Sequence, residues 1–566
     1  MSKNNKLYIG CSISHNCSVS VFNEDGKPLF VISEERLSRK KLHIGYPWRS
    51  MRLLKDRFAG AKWEVCFARM GKMKRVLRTF RFQIESAFKG IKATPFKPFI
   101  NKLIFQLIRE QKREDGIETY EKPFIDHFVE HHTCHAASAY YQSGMSECEV
   151  MTLDGVGNYL SCTFSQGKNG ELKRKKAYFH NDVTIGTDYE VVTAMLGFNP
   201  LRHPGKITGL AAYGDYNEGC IDKLGNFLKN NWNGKEKSYY LSYFDENNPA
   251  LKQKGIEEVR AIRRDRFDGF SKEEMAYAIQ YISEKKTLDL IRRNIPDYRG
   301  KNIALAGGVF ANVKLNQKIH EMGFKNVFVQ PAMDDGGLAI GAPLSVIGKH
   351  RKLTPYPVSS MLLGMEYENQ EVRQVLDEVG IKYIEHNYVE EQIAKLIADG
   401  KVVARFNGNM EFGPRALGNR SILYKATDKN VNDWLNKQLG RTEFMPFAPV
   451  TLWEEADRCY KNLDGIRHTA KFMTITVNCT AYTMKTTPAV VHVDGTARPQ
   501  LIQENDNKSY YNILKEYFRL TGIPTLVNTS FNMHEEPIVA TPKDAIRSFQ
   551  RGHLDCLAIN NFIVLR

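Results

Sequence analysis

Two histidines four residues apart stand in the run His131-His132-Thr133-Cys134-His135, and two aspartates on glycine turns, Asp154 and Asp335, follow further along the chain. On a helix, a spacing of four puts both imidazoles on one face. Imidazole nitrogens suit zinc or iron, and a carboxylate completes such a site. Asp154 opens Asp154-Gly155-Val156-Gly157, and Asp335 precedes Gly336-Gly337. Glycine at such turns lets a metal or a phosphate approach the backbone closely. The histidine pair alone is weak evidence for a metal, since buried or helix-capping histidines are the more common reading; the two aspartates favour a metal. His132, between the pair, points elsewhere and reads as structural.

A second constellation lies in the other half of the chain. It comprises Gly413-Pro414-Arg415-Ala416-Leu417-Gly418-Asn419-Arg420-Ser421, then Arg441, Arg498 and Asn528-Thr529-Ser530-Phe531-Asn532. Guanidinium groups hold planar or tetrahedral oxyanions bidentately. Asn528, Ser530 and Asn532 add neutral donors. A single loop arginine is ordinarily a solvated surface charge. Four of them, Arg415, Arg420, Arg441 and Arg498, in glycine- and proline-rich loops read as an anion site. A metal site and an anion site on one chain suit the making and use of an activated phosphate compound.

These residues need elements to position them. A chain of 566 residues is too long for one ordinary core, so two large domains, or three, are expected. At 42% hydrophobic and 25% charged residues it reads as globular rather than disordered. Leu7–Ser12, Val19–Phe22 and Leu29–Ser33 read as three strands, and residues 147–166 as two more flanking the Asp154–Gly157 turn. Ile303–Ala306 reads as a buried strand ending in Gly307-Gly308. A helix follows through Val313, Leu315, Ile319 and Met322, then a strand at Val327–Val329. Strands that end in glycine turns with acidic tips suit a nucleotide-binding α/β fold. Lys349–Ser360, with Pro355 and Pro357, reads as a linker. A new unit then begins near Tyr367 with helix, strand, helix and the strand Val402–Phe406.

Composition narrows the setting. The N-terminus has no apolar stretch of the signal-peptide kind, and no run of 18 apolar residues exists, so neither secretion nor a spanning helix is expected. Ten scattered cysteines form no Cys-x-x-Cys pair, which argues against a disulfide framework and fits a reducing cytoplasm. The formal charge is +16. Between Lys72 and Arg113 lie twelve basic residues and only Glu85 and Glu110 as acids, with apolar residues at helical spacing. This basic helical insert, 72–113, reads as surface helices packed on the core, or as a lid meeting an anionic substrate or a membrane surface.

Taken together, the motifs resemble the NodU/CmcH-type O-carbamoyltransferases over nearly the whole chain. The stretches that carry the resemblance are Ser14–Ser18, Glu34-Glu35-Arg36 with Arg39 and Lys41, His131–Ala139, Asp154-Gly155, Gly205–Leu210, Ala306–Asn312, the Asp335 loop, Gly413–Ser421, Met445–Pro449 and Asn528–Asn532. The resemblance implies an α/β architecture. Residues 1–355 would form an actin/Hsp70-like domain of the ASKHA class, similar to the tRNA threonylcarbamoyltransferase, and 366–566 a YrdC-like domain. It implies that carbamoyl phosphate and ATP, with Mg²⁺, give carbamoyl-adenylate and pyrophosphate in the second domain. The carbamoyl group then passes in the first domain to a hydroxyl of a small-molecule or glycan acceptor. By resemblance His131, His135, Asp154 and Asp335 hold a divalent metal, Fe²⁺ in the first instance. Lys41, Gly307, Gly308 and Asn312 hold the nucleotide, and His15 takes the proton from the attacking hydroxyl. Arg415, Arg420, Ser421, Arg441, Arg498, Asn528 and Ser530 bind carbamoyl phosphate and ATP.

The chain departs from the family pattern at three places. Cys17 stands where a small residue is usual, one extra residue separates Lys41 from His43, and Leu435–Met445 lacks the usual lysine-arginine-glutamate run. Lys437 is therefore the alternative to Arg441. Two other functions compete: threonylcarbamoyl transfer to tRNA, and a catalytically silent nucleotide-binding regulator. The basic residues cluster where no aromatic stacking motif accompanies them, so no nucleic-acid partner is expected. The acceptor's identity does not follow from the residues.

Overall fold

The computed structural model describes residues 6–13, 15–68, 125–180, 182–230, 249–440 and 444–566. The basic segment 72–113 and Arg441 lie outside the described residues.

Two five-stranded sheets share one wiring. In the first, β1 (Lys6–Ser12), β2 (Ser18–Phe22) and β3 (Pro28–Ser33) form an antiparallel meander. β4 (Lys62–Phe67) and β5 (His127–Phe128) then add parallel on the other side of β1. The second sheet repeats this with β6 (Glu147–Gly157), β7 (Leu160–Lys168) and β8 (Glu171–Phe179) antiparallel, and β9 (Asn302–Ala306) and β10 (Asn326–Val329) parallel. Both orders read third-second-first-fourth-fifth. This duplication is the actin/Hsp70-like plan expected from the motifs.

Each sheet is followed by a helix, His131–Tyr141 after the first and Leu338–His350 after the second. The two pack against one another. A side chain at Gly341 would stand 1.8 Å from the Cys134 carbonyl oxygen, and one at Gly348 would stand 2.2 Å from the Tyr141 hydroxyl. The early residues of one helix therefore meet the early residues of the other, and late meets late. The helices run side by side in the same direction, with their N-terminal ends together.

One expected turn falls elsewhere. Asp154–Gly157 lies inside β6, where the pairing with β7 slips between Leu153 and Gly157. The chain reverses at Asn158 and Tyr159, both at positive φ (59° and 67°), the conformation a tight hairpin demands. Asp154 is thereby displaced from the regular ladder and freed to face the helices. The segment expected as a linker is held down: Tyr356 and Val358 donate backbone hydrogen bonds to Tyr141 and Gln142, and Leu353 is buried.

Beyond residue 366 an eight-stranded mixed sheet carries the second unit. Its strands are β11 (Ile384–Glu385), β12 (Val403–Phe406), β13 (Arg420–Lys425), β14 (Ala448–Leu452), β17 (Gln500–Ile502), β18 (Thr525–Ser530), β19 (Cys556–Ile559) and β20 (Phe562–Leu565). A ribbon of β15 (Val477–Asn478) and β16 (Thr496–Ala497) stands beside it. The two units share apolar core: Ile303, Leu305 and Val327 of the second sheet pack in one cluster with Ala456, Ile475 and Leu501. The buried Asn316 side chain donates to the Thr474 carbonyl at 2.7 Å. All ten cysteines are free and buried, and no described helix is long and apolar enough to cross a membrane.

The helix pairing yields the first prediction. Gly341→Ala places a methyl against backbone and should cost at least the 1–3 kcal/mol of ordinary overpacking. Gly225→Ala, on a helix and with only a 3.9 Å contact to Ile282, should be neutral or slightly stabilising. Thermal melts of the two variants beside wild type test this; equal melting temperatures would refute the close approach.

Candidate active site

The paired helix N-termini gather the metal-type residues. His131 and His135 occupy successive turns of one helix, Asp335 lies in the short turn that leads into the other, and Asp154 projects from β6. Their four ligand atoms lie within 4.8 Å of one another. The Nε2 of His131 is 3.0 Å from Asp154 Oδ2 and 3.7 Å from Asp335 Oδ1. The Nε2 of His135 is 3.3 Å and 3.9 Å from the same two oxygens. Both rings are fully buried, and their Nδ1 atoms have no hydrogen-bond partner. Nε2 is therefore the nitrogen that each ring offers. Gly157 makes the space, since a Cβ there would stand 2.1 Å from the His131 ring.

Electrostatics prepare these groups as ligands. Burial lowers the His131 pKa against the pull of Asp335 and Asp154, which keeps the ring neutral. Burial would raise Asp154, but hydrogen bonds from His131 and His135 hold it well below the usual carboxylate range. Two imidazoles and two carboxylates fit a divalent transition ion. The helix N-termini add partial positive charge, which also favours an anionic group beside the site.

Further side chains fix this arrangement. Glu130 caps the histidine helix, accepting from the backbone of His132 and Thr133, and is clasped by Arg174. His132 turns away to Thr152 and the Leu160 carbonyl, and burial lowers its pKa to about 3. It is a structural ring, as expected. His15, on the β1–β2 turn and about two-fifths exposed, places Nε2 3.7 Å from Asp335 Oδ2. Asn16 ties that turn to the aspartate loop through a 2.8 Å bond to Asp334.

Of the nucleotide candidates, Gly307 and Gly308 lie beside this centre. A Cβ on Gly308 would stand 3.1 Å from Asp154 Oδ1, and Gly307, at φ 113°, approaches Leu153 backbone to backbone. Asn312 caps the helix Val313–His320 and donates to Gln280 at 2.8 Å. Lys41 lies near Glu535 of the second unit. Burial would raise that carboxylate, but His203, Arg202 and Lys41 bring its pKa to about 2.

In the second unit the Gly413–Ser421 loop is built around an acid that the motif reading missed. Glu411 is buried, and its Oε1 accepts from the backbone of Leu417, Asn419 and Arg420 at 2.8–2.9 Å. Arg405, also missed, donates to the Gly418 carbonyl and the Asn419 side chain. Both sit within strand or turn sequence that shows no motif; a lone acid two residues before a glycine turn was the available signal. Arg420 is fully buried, donates to the carbonyls of Asn407, Asn419, Gly408 and Met365, and stacks on Phe406. The structure thus sets it among backbone acceptors, apart from the other arginines. Ser421 accepts from the Gly418 amide. Asn528 donates to Ala416 and Gln500, and its buried Oδ1 has no hydrogen-bond partner. Arg415 and Ser530 are half-buried at the loop and the end of β18, and Lys437 is exposed on the helix Val431–Gln438.

One cavity of ≈ 310 Å³ joins the halves. Thr208, Tyr277, Gln280 and Lys314 line it from the first unit, Met445 and Arg498 from the second. Of the residues lining it, Gln280 is bonded to Asn312, a nucleotide candidate, and Arg498 is itself an anion candidate.

Comparison with known proteins agrees with the motifs. Two family models match: "Carbamoyltransferase N-terminus" over residues 77–344 and "Carbamoyltransferase C-terminus" over residues 394–566. An uncharacterized protein of Methanocaldococcus jannaschii is 31% identical over 99% of this chain and 99% of its own. The nodulation protein NolNO of Sinorhizobium fredii is 29% identical over 99% of this chain and 80% of its own. The nodulation protein NolO of Bradyrhizobium diazoefficiens is 29% identical over 77% of this chain and 78% of its own.

The Glu130 cap predicts an acid-side dependence. Burial would raise its pKa, but the Arg174 guanidinium, paired and hydrogen-bonded to it, brings it from an ordinary 4.5 to about 2. A depressed carboxylate stabilises the fold above its unfolded pKa, and that contribution is lost as pH falls toward the folded value. The stake is about 2–3 kcal/mol. Urea unfolding between about pH 5 and pH 3 should show a steeper loss of stability in wild type than in Glu130→Gln. Parallel slopes would refute the assignment.

Proposed function

The chain belongs to the carbamoyltransferase family, and from that premise we propose that it forms carbamoyl-adenylate and transfers the carbamoyl group to a hydroxyl. The observation that carries this reading is the cavity shared by Gln280 of the first unit and Arg498 of the second. It brings Arg498 of the anion candidates together with Gln280, the partner of Asn312 among the nucleotide candidates, as a reaction in two steps would use.

Activation is assigned to the second unit. Carbamoyl phosphate, ATP and a water give carbamoyl-adenylate, phosphate and pyrophosphate. Arg415 and Arg498 hold the phosphate oxygens; Asn528 supplies a buried amide in the same loop region. Arg420 and Glu411 act indirectly, by fixing the shape of the loop. Arg441, or Lys437 in its place, completes the basic set.

Transfer is assigned to the first unit. A carbamoyl carbon is a poor electrophile, because its nitrogen donates into the carbonyl; AMP supplies a better leaving group. Lys41, Gly307 and Gly308 bind the adenylate, with Asn312 holding the adjoining helix. His15 takes the proton of the acceptor hydroxyl as its oxygen bonds to the carbamoyl carbon. Asp335 orients the His15 ring and stabilises the imidazolium that forms, while the bond to AMP breaks. His131, His135, Asp154 and Asp335 would hold a divalent metal, with Fe²⁺ the first choice, which when bound supplies Lewis-acid stabilisation of developing oxygen charge. The nodulation relatives support a sugar or glycan hydroxyl as acceptor, and a cytoplasmic setting fits the nucleotide substrates.

Carbamoyl-phosphate-dependent exchange of labelled pyrophosphate into ATP, without acceptor, separates the steps. Arg498→Ala should lower exchange by about 10²-fold. Asp154→Asn and His15→Ala should keep exchange and lose carbamoyl transfer. Exchange that survives Arg498→Ala, or disappears in Asp154→Asn, would overturn this division of labour.

A further inference from the structure

At the opposite end of the helix Leu338–His350 from Asp335, a second set of metal-type donors comes together. Glu64 lies on β4, His127 on the neighbouring β5, and His350 is the last residue of the helix. Their ligand atoms all lie within 4.8 Å of one another. Glu64 divides its carboxylate: Oε2 pairs with the Lys6 ammonium, and Oε1 meets His127 Nε2. The His350 ring lies 6.1 Å from the His127 ring, centroid to centroid. The set shares no residue with the Asp154 cluster, and the reaction uses none of its members.

We propose that Glu64, His127 and His350 form a second, structural site for a divalent transition ion of the zinc type. Two imidazoles and one carboxylate are the donors such an ion takes, with solvent in the remaining position. The ion would occupy the place of the proton between His127 Nε2 and Glu64 Oε1, while Lys6 keeps the other oxygen. The last carbonyls of the helix carry partial negative charge, which favours a cation at this end as it favours anions at the other. His350 is exposed and Glu64 and His127 are partly so, so an ion reaches them without opening the fold. Bound there, it ties two strands of the first sheet to the end of the helix that follows the second.

Equilibrium dialysis of the full chain against Zn²⁺ tests this. His350→Gln and, as an independent second variant, His127→Gln should each bind about one equivalent less than wild type. The rise in melting temperature on adding Zn²⁺ should shrink in both. Asp154→Asn tests the other site separately and should leave this equivalent in place. Zinc stoichiometry equal to wild type in both histidine variants would overturn the proposal, as would loss of the His350-dependent equivalent in Asp154→Asn.

Discussion

Backbone contact between two parallel helices is the constraint on which the rest of the structure depends. Gly341 lets the Leu338–His350 helix approach Cys134 more closely than any side chain would allow. Because Gly348 does the same at Tyr141, the helices stay in contact along their length and their N-termini converge. His131 and His135 on one helix therefore meet the Asp335 turn of the other. The same contact places two helix dipoles with their positive ends on two carboxylates, where their charge is stabilising.

The sheets transmit this constraint outward. Ser18 and Ser20 of β2 donate to the carbonyls of Gly336 and Ala339, and Gly10 of β1 lies against Ala339. The first sheet is thus bonded to the helix that follows the second. His15, on the turn between β1 and β2, is carried to Asp335 by those bonds, although 320 positions separate them in the chain.

The two units are joined where their sites approach. Gly413 of the Gly413–Ser421 loop lies against Pro331 and Ala332, just before the Asp334-Asp335 turn. Arg36 donates to the Gly413 carbonyl, and Arg39 to those of Pro537 and Ile538. The Glu34–Arg39 motif therefore acts mainly as a clamp between the units, with Glu34 buried as an acceptor for Arg49 and Ser50. The two units also share an apolar cluster.

Local pattern was enough for much of this. The strands β1, β2, β3, β9 and β10 are visible in their runs of apolar residues, because successive residues, which point to opposite faces, are mostly buried in all five. The spacing of His131 and His135 places both on one helical face, and glycines beside Asp154 and Asp335 mark backbone that must be approached closely. The actin/Hsp70-like class of the first unit was implied by the family resemblance; local pattern alone pointed to a nucleotide-binding α/β fold. Tertiary structure decided what depends on distant partners. Arg420 and Arg415 look alike in one motif, yet Arg420 is buried and donates to the carbonyls of Met365, Asn407 and Gly408, which lie outside that motif. Glu411 and Arg405 carry no motif, since their work is to satisfy backbone groups of a loop that exists only when folded. The reversal at Asn158-Tyr159, rather than at Asp154–Gly157, follows from pairing with β7. The meeting of His15 with Asp335 follows from packing between sheets, which no local spacing encodes.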